Sequence, residues 1–173
     1  NNGDGTFTDV AEDLEVLDAS HDGAGVVIAD FNNDGWQDIF LANSDEDVLL
    51  KNNNGTSFTD ITTSAGFDTN DDSRGTSASW GDYDNDGYLD LYVAHHKPIV
   101  NATNSELQDK LYHNNGDETF TDVSELLLDS GNLSGAGFIG GWTDYDRDGD
   151  LDIFLINDCL VDIPVQTKVF RND

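Results

Sequence analysis

A nine-residue pattern occurs three times in this chain: DFNNDGWQD from Asp30 to Asp38, DYDNDGYLD from Asp82 to Asp90, and DYDRDGDLD from Asp144 to Asp152. No other feature constrains the fold as much, because the pattern brings its own turn and its own period. Each copy sets an oxygen-bearing side chain at positions 1, 3, 5 and 9 and a glycine at position 6. A hard cation such as Ca²⁺ takes six to eight oxygens at about 2.3–2.6 Å. Alternate acidic residues on a tight loop can converge on one such ion, and the glycine permits the bend that returns position 9 to the same centre.

A second motif recurs in step with the loops: NNGDGTFTDV from Asn1, NNNGTSFTDI from Asn52 and NNGDETFTDV from Asn114. A short apolar run precedes it, VLLKN ending at Asn52, KLYHN ending at Asn114 and KVFRN ending at Asn172. Counted from these starts, the chain reads as one repeat domain over 1–173, a segment of a larger propeller or assembly, with repeats 1–51, 52–113 and 114–171. Spacing varies at segments such as Lys97–Asp109, which read as surface-loop insertions.

Four short strands are expected in each repeat. The first enters the loop (Gly25–Ala29, Thr76–Gly81, Phe138–Thr143) and the second leaves it (Asp38–Ala42, Asp90–Ala94, Asp152–Ile156). The third is the short apolar run, and the fourth holds Phe-Thr-Asp at Phe7, Phe58 and Phe120. Asn-Gly and Asp-Gly pairs between the third and fourth are hairpin signals. The runs IFLA, LYVA and IFLI are apolar throughout, as in strands covered on both faces. The fold class is therefore all-β: four-stranded antiparallel units stacked as β-propeller blades or as an open repeat array.

Charge excludes several partners. The chain has 36 acidic and 7 basic residues and a net charge of −29. Nucleic acid and anionic membrane surfaces both need a Lys/Arg footprint that is missing here. No apolar stretch approaches the roughly 20 residues of a membrane span. Self-repulsion on this scale opposes a compact state unless cations offset it. The single cysteine, Cys159, allows no disulfide within the segment and reads as a small buried hydrophobe. The chain opens inside a motif and without Met, which reads as a mature or excised segment. Asn54-Gly-Thr, Asn101-Ala-Thr and Asn132-Leu-Ser are N-glycosylation acceptor patterns.

The EF-hand competes for these loops. It needs an acid at position 12, where this chain has Leu41, Val93 and Leu155, and helices on both flanks, where it has strand-like runs. Plain Asp/Asn/Gly turns are the other reading. Trp80 and Trp142, two residues before their loops, match Ile28 and read as filler between sheets rather than as a sugar platform. Trp36 reads as exposed, a candidate contact surface. His95-His96 reads as loop. There is no Ser-His-Asp order, phosphate-cradling glycine loop or separate acid pair, so no catalytic residues are assigned.

The stretch DYDNDGYLDLYVA followed by KLYHNNGDETFTDV resembles the FG-GAP/VCBS-type repeats of integrin-like β-propellers, and is similar to secreted acidic proteins of the cartilage-acidic-protein type. The resemblance covers essentially the whole chain. It implies three Ca²⁺ sites: Asp30, Asn32, Asp34 and Asp38 with the Trp36 carbonyl; Asp82, Asp84, Asp86 and Asp90 with the Tyr88 carbonyl; and Asp144, Asp146, Asp148 and Asp152 with the Asp150 carbonyl. Such propellers usually close with about seven blades, and three are present here.

The expected function is a non-enzymatic, extracellular or cell-surface Ca²⁺-binding module for adhesion, scaffolding or recognition of a protein or glycan ligand. An accessory propeller region of a secreted polysaccharide-active enzyme is one alternative. A fibre or ring is another, joined by self-association of the terminal strands Thr6–Val10 and Lys168–Arg171.

Overall fold

A computed structural model describes residues 1–16, 22–67, 74–96, 109–127, 137–157 and 167–173. These form three antiparallel sheets, and the acidic loops set their phase. In the first sheet β1 (Gly23–Ala29), β2 (Asp38–Asn43), β3 (Val48–Asn52) and β4 (Phe58–Asp60) lie in sequence order. The second repeats this with β5 (Gly75–Gly81), β6 (Asp90–His95), β7 (Lys110–Asn114) and β8 (Phe120–Asp122). The third holds β9 (Gly137–Thr143), β10 (Asp152–Asn157) and β11 (Lys168–Phe170). The register across each loop is the same: Ala29 faces Asp38, Gly81 faces Asp90 and Thr143 faces Asp152.

β5 packs beside β1 on one side and β9 on the other, so the three sheets stack face to face. Side chains that point out of two neighbouring sheets meet in a shared layer. Phe31, Phe40, Leu49, Phe67, Leu91, Tyr112 and Phe120 fill the first layer. Tyr92, Leu111, Leu127, Ile153 and Leu155 fill the second. β6, in the middle, is buried along its whole length. This meets the expectation of strands covered on both faces. In β10 it fails: Phe154 and Ile156 remain 43 % and 44 % exposed, because among the described residues no sheet covers that side. Ile28 is likewise exposed on the other outer face. The tryptophans at its position behave as filler. Trp80 stacks on Phe31 at 6.2 Å and Trp142 on Tyr83 at 6.3 Å.

Three expectations are corrected. The first Phe-Thr-Asp is not a strand: with no third strand beside it among the described residues, Phe7 is 79 % exposed. His95 is not in a loop but ends β6 in the buried layer, with Nε2 3.3 Å from Asp47 Oδ2. Asp109, at the end of the expected surface insertion, is also buried; it accepts from the His95 N–H (2.8 Å) and the Tyr92 hydroxyl (2.9 Å). Residues 97–108, Cys159, Asn101 and Asn132 lie outside the described residues.

Asparagines closing the third strands bolt the sheets together. Asn114 Nδ2 donates to the Leu89 carbonyl of its own sheet (3.0 Å) and to the Phe31 carbonyl of the sheet before (2.9 Å). Asn172 Nδ2 reaches the Tyr83 carbonyl in the same way, at 2.7 Å. Replacing Asn114 by Ala removes both bonds at a buried site. With about 1–3 kcal/mol for each buried carbonyl left unpaired, the expected loss for the two is about 2–6 kcal/mol, measured by urea unfolding. A loss within the few tenths of a surface substitution would show that the bolt carries no load.

Candidate metal centre

Each acidic loop folds around its own carboxylates before any ion is considered. Position 1 receives the backbone: Asp30 accepts from the N–H groups of Asp34 (3.0 Å) and Gly35 (2.8 Å), and Asp82 from those of Asp86 and Gly87 (both 3.0 Å). Position 5 accepts from position 7: Asp34 from Trp36 (2.9 Å), Asp86 from Tyr88 (2.9 Å) and Asp148 from Asp150 (3.0 Å). The chain turns through left-handed backbone at position 6, where Gly35, Gly87 and Gly149 have φ of 90°, 93° and 104°. Position 4 is left-handed too, at Asn33, Asn85 and Arg147. Asparagine tolerates that conformation, and arginine adopts it at a cost.

Position 9 differs from the rest. Asp38, Asp90 and Asp152 are fully buried. One oxygen of each accepts from the position-2 N–H, that of Phe31 (3.3 Å), Tyr83 (3.0 Å) or Tyr145 (3.2 Å). The other accepts from the N–H of the third-strand asparagine: Asn52 (2.8 Å), Asn114 (2.8 Å) or Asn172 (2.9 Å). One carboxylate therefore joins the end of the first strand, the start of the second and the end of the third.

The carboxylates converge. Oxygens of Asp82, Asp84 and Asp86 lie within 4.8 Å of one another, as do those of Asp144, Asp146 and Asp152. This suits a hard divalent cation in donor type and spacing. In the first loop the Asn32 amide takes the third position, its Nδ2 3.1 Å from Asp34 Oδ2. Positions 12 lie in β2, β6 and β10 and both flanks are strands, so the EF-hand reading is overturned.

Of the position-7 residues, Trp36 is 41 % exposed, with its ring against the hairpin turn at Gly55. Tyr88 packs on Gly116 in the same way, and Asp150 accepts from Asn85 Nδ2 at 2.8 Å. Sequence reasoning passed over one neighbour. The residue before each third-strand asparagine is basic: Lys51, His113 and Arg171. Lys51 turns to Glu118, Arg171 Nε comes to 3.8 Å from Asp146, and His113 Nδ1 lies 3.3 Å from both Asp84 and Asp90. The recurring charge beside Asn was the available signal.

Burial pushes the Asp38 and Asp90 carboxyls up to about 6, partly opposed by their backbone hydrogen bonds. Burial likewise pushes Asp109 up to about 6. A carboxyl whose folded pKa exceeds its unfolded value favours the fold while protonated. That stability is complete below about pH 4 and is lost as pH rises through about 6. In chelator, thermal melts from pH 4.5 to 7.5 should show falling stability, and saturating Ca²⁺, which needs the ionised carboxylates, should reverse the slope. Asp109→Asn, which lies outside the loops, should remove the same falling contribution from both curves. A chelated protein that gains stability toward pH 7 would contradict this.

The FG-GAP-like repeat family matches residues 1–41, 30–93 and 99–155. Cartilage acidic protein 1 of Xenopus tropicalis is 34 % identical over 164 residues, covering 90 % of this chain and 24 % of that protein. The mouse and human proteins of the same name are 32 % and 31 % identical over 162 residues and 90 % of this chain. The chain thus spans about a quarter of the length of these relatives. The loops at the sheet edge, the stacked antiparallel blades and the matched segments agree: this chain belongs to the FG-GAP-like repeat family.

Proposed function

We propose that this chain is a Ca²⁺-stabilised extracellular module without catalytic activity, a rigid platform for adhesion, scaffolding or recognition of a protein or glycan. One observation carries the reading. A fully buried carboxylate at position 9 of every loop ties three strands together while lying among other carboxylates. A divalent ion held by Asp30, Asn32, Asp34 and Asp38, and by the corresponding residues of the other loops, converts that repulsion into a cross-link. Binding free energy then becomes folding free energy. Extracellular Ca²⁺ is abundant enough for sites of about 10⁻⁴–10⁻³ M affinity. The name of the relatives, cartilage acidic protein, supports the same compartment. Asn54 stands exposed on the first hairpin turn, accessible to a glycan.

Chelator should lower the melting temperature sharply, and Ca²⁺ should restore it with calorimetric binding at three sites. The first loop, with one amide among its four side chains, should be the weakest. Identical melts with and without chelator would remove the metal role. If the chain instead belongs to a polysaccharide-active enzyme, a catalytic domain would adjoin it in the full-length protein.

A specific cavity favours self-association as a second reading. It measures about 230 Å³ and is lined by Tyr83, Leu127, Trp142 and Phe170. In the neighbouring layer Phe120 sits among the corresponding aromatics, 5.6 Å from Phe31 and 6.1 Å from Trp80. Phe7, in a nearly identical sequence, is exposed and suited to fill the cavity of a second copy beside β11. Light scattering should then show concentration-dependent oligomers that Phe7→Ala abolishes. A strictly monomeric protein at all concentrations would rule this out.

A further inference from the structure

We infer that the second loop is a mixed oxygen–nitrogen site, in which His113 joins Asp84 and Asp90 to take a divalent transition ion of the Mn²⁺, Co²⁺ or Zn²⁺ class. The inference rests on the metal role proposed for the loops and gives one of them a chemistry of its own.

The three repeats supply their own controls. At the position before the third-strand asparagine, Lys51 and Arg171 are permanent cations with no lone pair to offer a metal. Only His113 is a Lewis base. Its Nδ1 lies 3.3 Å from Asp84 Oδ2 and 3.3 Å from Asp90 Oδ1, and these three ligand atoms fall within 4.8 Å of one another. That nitrogen is shielded from solvent and makes no hydrogen bond of ordinary geometry. The ring is held by an edge-on contact with Tyr83, centroids 6.2 Å apart, and is only 28 % exposed. Asp90, fully buried, is fixed by two backbone N–H donors, so two of the three ligand atoms arrive already positioned.

Imidazole with carboxylates suits first-row transition ions, whereas Ca²⁺ prefers oxygen alone. The first and third loops should remain Ca²⁺ sites. The second should accept the softer ion even against millimolar Ca²⁺.

The test uses the full chain saturated with Ca²⁺ and titrated with Co²⁺, followed by visible absorption and calorimetry. One equivalent should bind, and His113→Arg, which copies the basic residue of the third repeat and removes a direct ligand, should weaken it by more than the about 10–100-fold that loss of an outer partner costs. In parallel, Mn²⁺ should broaden the His113 ring signals in NMR well before those of His95. A Co²⁺ affinity unchanged by His113→Arg, or no selective broadening of His113, overturns the inference. Calcium binding to the first and third loops is read separately, so the absence of any Ca²⁺ binding points instead to failure of the broader metal reading.

Discussion

A fully buried carboxylate at the last position of each acidic loop organises this fold. Asp38, Asp90 and Asp152 have no solvent exposure, and each spends its two oxygens on backbone N–H groups from strand ends on either side of a loop. Hydrogen bonds alone do not offset the loss of hydration for a carboxylate, and the raised pKa of Asp38 and Asp90 records the deficit. The remaining loop carboxylates add to it. The divalent ion proposed for each loop would offset it, since its charge would act within one loop where the field is strongest.

Much of this was readable from the chain. The D-x-D/N-x-D-G-x-x-D spacing fixed where each loop lies, and with it the phase of the first two strands. Trp80 and Trp142 could be placed between sheets because Ile28 shares their position. Pattern reading stopped where a partner in space decides the outcome. Phe7, Phe58 and Phe120 have the same local sequence, yet among the described residues only the latter two form strands, because only they have a third strand beside them. His95 and Asp109 border a segment whose length varies between repeats and carry no hydrophobic signal. Their burial follows from the closeness of adjacent sheets, which no local window reports.

That closeness has a recurring device of its own. Asp47, just before β3, accepts from the Asn43 N–H at 2.9 Å, and Asp109, just before β7, accepts from the His95 N–H at 2.8 Å. Each carboxylate lies against a glycine opening the next sheet: a Cβ at Gly75 would come within 2.4 Å of Asp47, and one at Gly137 within 2.2 Å of Asp109. The absence of a side chain is what lets the carboxylates sit between sheets.

The two kinds of acidic contact stand at opposite ends of the strands. The acidic loops lie where β1, β5 and β9 finish, and the Asp47 and Asp109 contacts lie where β5 and β9 begin. The stack is thus fastened like the leaves of a book along both margins, and only one margin carries the carboxylate clusters proposed to hold cations. Under the metal role proposed above, loss of calcium would loosen that margin first, and the leaves would part about the other. The surface bared by such a parting would be the aromatic layer of Phe31, Trp80 and Phe120.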